Sequence, residues 1–223
     1  GEKLLPVMLE FYRLCGIRKP EFMGWNQVEL DKRKYTKGWS PVENTDFSLT
    51  EFGGELDRYL ESYDAIKKIV SEVESVIPQG RKDAFFAQIK YPVFGAAAMS
   101  VKMLEAQRAR CIFPGSCDTT LWTREDRLMA ACAKSIRAYQ EIRELTDYYN
   151  NELAGGKWKY SMCHNPRDLY VFYPPTVPVW LTDNELEKYA SLDNPVSLPL
   201  EEAAKDSCIV SNACAYSKAS EGV

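Results

Sequence analysis

The sequence is most informative first in what it lacks. A single histidine, His164, stands in 223 residues, which excludes a histidine-based metal cluster and leaves any Ser-His-Asp or Cys-His site only that one imidazole. No Cys-x-x-Cys pair occurs among the seven cysteines (Cys15, Cys111, Cys117, Cys132, Cys163, Cys208 and Cys214), so a zinc knuckle is not indicated. Neither a GxxxxGK[ST] phosphate loop nor a GxSxG elbow is present, and Gly53-Gly54 and Gly155-Gly156 read as helix punctuation. Apolar runs last only a few residues, against the roughly 20 needed to cross a bilayer. The 28 basic and 32 acidic residues are spread along the chain without a basic stripe, so no nucleic-acid footprint appears. These absences predict no metal, no cofactor, no nucleic acid and no membrane. The cysteines read mostly as buried free thiols behaving as small hydrophobes, with a Cys111–Cys117 bridge as the alternative.

What is present is helical. Residues 3–15 place Leu4, Leu5, Met8, Phe11, Tyr12 and Cys15 on one expected face, with Gly16 as the stop. Arg18 to Gly54 is polar, carries Trp25, Trp39 and Pro41, and reads as a long ordered loop. From Glu55, the residues Leu56, Tyr59, Tyr63, Ile66, Val70, Val73 and Ile77 recur at alternating spacings of three and four, the seam of a long amphipathic helix. Pro78 and Gly80 end it. A second helix is expected from Arg81 or Lys82, with Phe86, Ile89, Val93, Ala97, Val101 and Leu104 inward and a kink at Pro92. Gly95-Ala96-Ala97-Ala98 is small enough for close helix approach. A third helix, starting between Asp118 and Thr123, carries Leu128, Cys132, Ile136, Tyr139, Ile142, Thr146 and Tyr149 and stops at Gly155-Gly156.

The predicted fold is therefore mainly α. It is an antiparallel bundle of three to four long helices with an extended, proline- and aromatic-rich C-terminal segment. Its expected divisions are an N-terminal helix and loop over 1–54, the bundle over 55–156, and the extended segment over 157–223, with a helical turn at Asp183–Ala190. A lone strand near Cys208–Tyr216 is not stable by itself. The helical pattern begins directly after Gly1. Both features are expected of a piece of a longer chain.

Acidic residues are too many for sequence alone to pick the two carboxylates, about 5–10 Å apart, that glycoside hydrolysis requires. No catalytic residue is nominated. The aromatics Trp158, Tyr160, Tyr170, Phe172, Tyr173 and Trp180 either pack the extended segment onto the bundle or offer ring faces to sugars. His164 reads first as a loop anchor.

Several segments, in order, resemble the region downstream of the catalytic barrel in glycoside hydrolase family 115. They are Arg18-Lys19-Pro20-Glu21, Asp83-Ala84-Phe85-Phe86 leading to Tyr91-Pro92-Val93, and Tyr149-Asn150-Asn151-Glu152-Leu153-Ala154-Gly155-Gly156-Lys157-Trp158, followed by Met162 and Pro174-Pro175. The segment His164 to Pro175 keeps a tyrosine and prolines and lacks the family's tryptophan and glutamines. Members are xylan α-1,2-glucuronidases built from an N-terminal domain, a β/α barrel, a helical bundle and a β-sandwich. The resemblance implies a non-catalytic helical part of such an enzyme, supporting the barrel and shaping the cleft rim or a homodimer interface. Trp158, His164, Tyr170 and Tyr173 would lie near substrate. The implied partners are the rest of the parent chain (barrel and β-sandwich) and xylan-derived oligosaccharide, and the implied parent compartment is periplasmic or extracellular. Two other classes fit the residues: an independent carbohydrate-binding module, and a structural or assembly domain of an unrelated protein.

Overall fold

The chain's computed structural model describes residues 2–23, 44–112, 124–166 and 170–190. These residues form six α-helices: α1 (Leu4–Ile17), α2 (Glu55–Val76), α3 (Lys82–Phe85), α4 (Tyr91–Ile112), α5 (Arg124–Asn151) and α6 (Asp183–Ala190). Among the described residues there is no strand, and the fold is mainly α as the sequence predicts. The segments 24–43, 113–123 and 191–223 lie outside the described residues. With them go Trp25, Trp39, Pro41, the start of the third long helix, Cys117, and the strand expected at Cys208–Tyr216.

The seams on α2, α4 and α5 close on one another. On α2, Leu56, Tyr59, Tyr63, Ile66, Val70 and Val73 are all buried, and the helix ends just before Ile77 and Pro78. Direction follows from cross-helix pairs. Arg108 near the end of α4 meets Asp57 near the start of α2, while Lys90 just before α4 meets Glu74 near the end of α2, at 2.8 Å. Between α4 and α5, Ser135 Oγ donates to Lys102 O at 2.6 Å, and Tyr91 lies within 3.4 Å of Thr146. Position rises along one helix as it falls along its neighbour, so both pairs are antiparallel.

α4 is the central element, which its apolar stripe understates. Ala97 to Ser100 and Lys102 to Ala109 are buried almost without interruption. α2 and α5 cover it on two sides. The irregular chain around 44–47 covers a third, where Gln107 Oε1 accepts from Thr45 N and Oγ1 at 2.7 Å and its Nε2 donates to Phe47 O at 3.0 Å. Arg108 therefore sits in the core, where its guanidinium joins Asp57 and Glu105, and a buried cation is tolerated only with partners of this kind.

Sequence expectation and structure differ in five places. The bend before Pro92 takes the form of a π-helical turn, Phe86–Lys90, between α3 and α4. Pro92 has no N–H for the carbonyl of Gln88, and a widened turn accommodates that loss. Gly95 is not what admits a neighbouring helix, since a Cβ there would meet nothing within 4 Å. Gly16 does not stop α1, which runs through Ile17. The buried face of α1 is Val7 and Leu14, with Leu4, Met8 and Phe11 partly buried, whereas Leu5 and Tyr12 point outward. A helix with apolar residues on two opposite faces gives periodicity nothing with which to choose between them. Of the four described cysteines, all free thiols, only Cys132 is fully buried; Cys15 and Cys111 are half-buried and Cys163 is exposed.

After α5 the chain turns back over the bundle. Val171 is fully buried in the main core and Leu181 and Leu186 pack on α5. α6 occupies the range expected for a helical turn and starts with a capping box: Glu185 Oε2 accepts from Thr182 N at 2.8 Å and from its hydroxyl at 2.7 Å. No helix among the described residues is long and apolar enough to cross a membrane.

Candidate functional site

The segment that follows α5 is where sugar contact is expected, and its geometry starts from the end of that helix. Leu153, fully buried, plugs into an aromatic pocket of Phe86, Tyr91 and Tyr149. Ala154, Gly155 and Gly156 then take φ of 52°, 66° and 78°, the left-handed region. At Gly156 a Cβ would lie 2.9 Å from the carbonyl oxygen of Asn151, so glycine alone fits the close approach. Asn150 clamps the far side of the loop: its Nδ2 donates to Met162 O at 2.8 Å and its Oδ1 accepts from Met162 N at 2.9 Å. Between these fixed points, Lys159 N donates to Gly156 O at 3.2 Å and Ser161 N to Trp158 O at 2.9 Å. The loop is thus closed by two tight turns.

Four residues were expected near substrate. Trp158 is on the crest of this loop, 42% exposed, with the Lys157 ammonium 5.0 Å from its ring centre. His164 sits at the loop's return, where Nε2 meets Asp147 Oδ1 of α5 at 2.9 Å; its Nδ1 is buried with no hydrogen-bond partner among the described residues. The anchoring role expected for His164 fits that geometry. With the Asn165 amide assigned so that its nitrogen faces the two acceptors around it, it donates to His164 O at 2.9 Å and Phe172 O at 3.2 Å, which ties the loop's exit to the next turn. Tyr170 begins a short 3-10 turn, Tyr170–Phe172, and its side chain lies outside the described part of the structure. Tyr173 is half-buried and its carbonyl accepts from Lys102 Nζ at 3.0 Å. The aromatic cluster therefore divides: Phe172 and Tyr173 lean on the bundle, while Trp158, Tyr160 and Trp180 are exposed.

Lys102 is the residue sequence reasoning missed. Its side chain is fully buried inside α4 and donates to the carbonyls of Val171 and Tyr173, with the Tyr139 ring 5.6 Å away. Burial, with no carboxylate against it among the described residues, lowers its pKa to about 7. The available signal was a single lysine inside the small and apolar run Gly95 to Leu104. Its consequence is positional, because this ammonium fixes where the 170–173 turn lies.

A second concavity, a groove of about 340 Å³, runs between α2 and α5 above α4. Its charged walls include Asp57, Glu61, Asp64, Lys67, Lys134 and Glu141. Desolvation raises the Asp64 carboxyl pKa, although part of the group meets solvent, with Lys67 and Lys134 opposing the shift. Burial likewise lowers the Lys134 amine. Lys67 and Glu141 pair at 2.8 Å. That pair joins α2 to α5.

No protein-family model and no curated protein matches the chain. One solved structure does. It is described as a novel family GH115 4-O-methyl-α-glucuronidase, BtGH115A, with specificity for decorated arabinogalactans. The match has 34% identity and a TM-score of 0.61, and covers 81% of this chain and 21% of that one. The chain is similar to part of a family GH115 glycoside hydrolase. Identity at that level over most of the chain makes the likeness one of sequence as well as fold, and supports a relationship to that family. The chain spans about a fifth of the length of this relative (21%).

Proposed function

We propose that this chain is the non-catalytic helical part of a GH115-like glycoside hydrolase, supporting a catalytic domain that removes glucuronic acid side chains from a polysaccharide. Xylan is the substrate implied by the family resemblance, and decorated arabinogalactan is the one named for the relative; the uronic acid branch is common to both. The similarity over 81% of the chain to about a fifth of a glucuronidase carries this reading. The charged groups are consistent with it, because Glu141 pairs with Lys67, and Asp57 with Arg108, in contacts that join helices.

α1 offers the surface for such support. Leu5, Leu9 and Tyr12 are 64%, 61% and 64% exposed at helical spacings of four and three, opposite the buried Val7 and Leu14. The helix has only two charged side chains, Glu10 and Arg13, which pair with each other at 2.6 Å. A helix apolar on both faces is expected to be covered on both. The partner this reading assigns is the catalytic domain, since nearly four-fifths of the relative lies outside the matched region.

Two measurements test the proposal. The purified chain is expected to release no 4-O-methylglucuronic acid from glucuronoxylan or decorated arabinogalactan, and turnover by this chain alone would refute the non-catalytic role. Mixed with a family GH115 enzyme from which the matched region has been deleted, it is expected to associate, and the double variant Leu5→Ser/Leu9→Ser to associate at least about tenfold more weakly. No association of the unmodified chain would overturn the supporting role.

A further inference from the structure

The loop after α5 presents a combination that the supporting role does not use. Tyr160 is 86% exposed and adopts φ of 67°, in the left-handed region that a bulky side chain rarely enters. Such a conformation persists only where the surroundings impose it, and here they do. Leu153 anchors one side of the loop, Asn150 grips Met162 on the other, and Gly156 takes the close approach to Asn151. The framework thus holds a large apolar ring out into solvent, where burial does not reward it. Trp158, two residues earlier, is also exposed.

Each ring is paired with a cation. Lys157 Nζ is 5.0 Å from the Trp158 ring centre and Lys159 Nζ is 5.4 Å from that of Tyr160. Among the described residues neither ammonium is paired with a carboxylate. Lys157-Trp158-Lys159-Tyr160 therefore sets out two exposed rings able to stack on the C–H-rich face of a pyranose, each with an ammonium over one of its faces and without a carboxylate partner among the described residues. Neutral sugars require only the rings. An anion requires only the lysines. A sugar bearing a carboxylate uses both.

We infer that the loop 156–162 is a binding site for uronic-acid-bearing oligosaccharide, with the sugar ring stacked on Tyr160 and Trp158 and the carboxylate on Lys157 and Lys159. This deepens the proposed function and rests on it for the choice of glycan. The two can fail separately, because the association test above reads α1 and this one reads the loop.

The test is calorimetry on the whole chain with three probes: a 4-O-methylglucuronic-acid-substituted xylo-oligosaccharide, the unsubstituted xylo-oligosaccharide of the same length, and free glucuronate. The substituted sugar is expected to bind at least about tenfold more tightly than either of the others. Tyr160→Ala is expected to weaken that binding about tenfold or more. Lys157→Gln/Lys159→Gln is expected to abolish the preference for the acidic sugar and its sensitivity to salt. These side chains are exposed, so thermal unfolding of the variants should match the parent and exclude misfolding as the cause. Equal affinity for acidic and neutral sugars, unchanged binding by Tyr160→Ala, or no heat at millimolar ligand would each overturn the inference.

Discussion

Replacing Lys102 by methionine tests how the extended segment is held. The ammonium lies in the core and donates to two backbone carbonyls, with no carboxylate against it among the described residues. Burial depresses its pKa from 10.5 to about 7. Between those two values the unfolded chain binds the proton more than the folded chain does, so stability rises with pH across the window. The contribution is complete above the unfolded value and is lost as pH falls through the folded one. Its slope is at most about 1.4 kcal/mol per pH unit, and its full extent is on the order of 4–5 kcal/mol.

Methionine keeps an unbranched apolar stem and removes both the titration and the donors. The carbonyls of Val171 and Tyr173 then lose their partner, at about 1–3 kcal/mol for each one left unsatisfied. The assay is denaturant unfolding of parent and variant between about pH 6 and pH 9, followed by tryptophan fluorescence. Other groups, including Lys134, titrate alike in both chains and cancel in the difference. Lys102→Met is expected to be closest to the parent in stability at the acid end, and to fall behind by about 1 kcal/mol per unit above pH 7. Parallel profiles, with a difference constant in pH, would refute a titrating ammonium at this position.

Two further substitutions probe the frame. Gly156→Ala puts a Cβ 2.9 Å from Asn151 O at a φ of 78° and is expected to destabilise by about 1–3 kcal/mol, read as a lower denaturation midpoint, with faster proteolysis between Leu153 and Met162. A midpoint equal to the parent's would mean that the loop is not held as described. Arg108→Ala leaves Asp57 and Glu105 without their shared cation and is expected to cost about 3–5 kcal/mol; a loss below about 1 kcal/mol would show the triad to be dispensable.

The helices, and most of what ends them, follow from local chemistry along the chain. Alternating spacings of three and four from Leu56 to Ile77 define α2 because side chains at those intervals share one helical face. Proline and paired glycines mark ends for local reasons, since one lacks a donor and the other enters left-handed φ freely. The helical turn expected at Asp183–Ala190 is α6, and the structure adds the contact of Glu185 with its N-cap Thr182. The aromatic content of the segment after α5 is equally legible in the sequence.

Which faces lie inside depends instead on long-range contacts. α1 is apolar on two opposite faces, so its buried face is set by contacts that no local period records, including Tyr59 donating to the carbonyls of Leu14 and Arg18 at 3.3 and 3.2 Å. α4 is charged at Lys102, Glu105 and Arg108, which by composition belong to a solvated face. They are buried because α2, α5 and the 170–173 turn bring partners to them from 33 to 71 residues away. The aromatic segment divided for the same reason. Its residues near Val171 are drawn in by a buried ammonium, while Trp158 and Tyr160 are held out by a loop whose glycine and asparagine act only once α5 is in place.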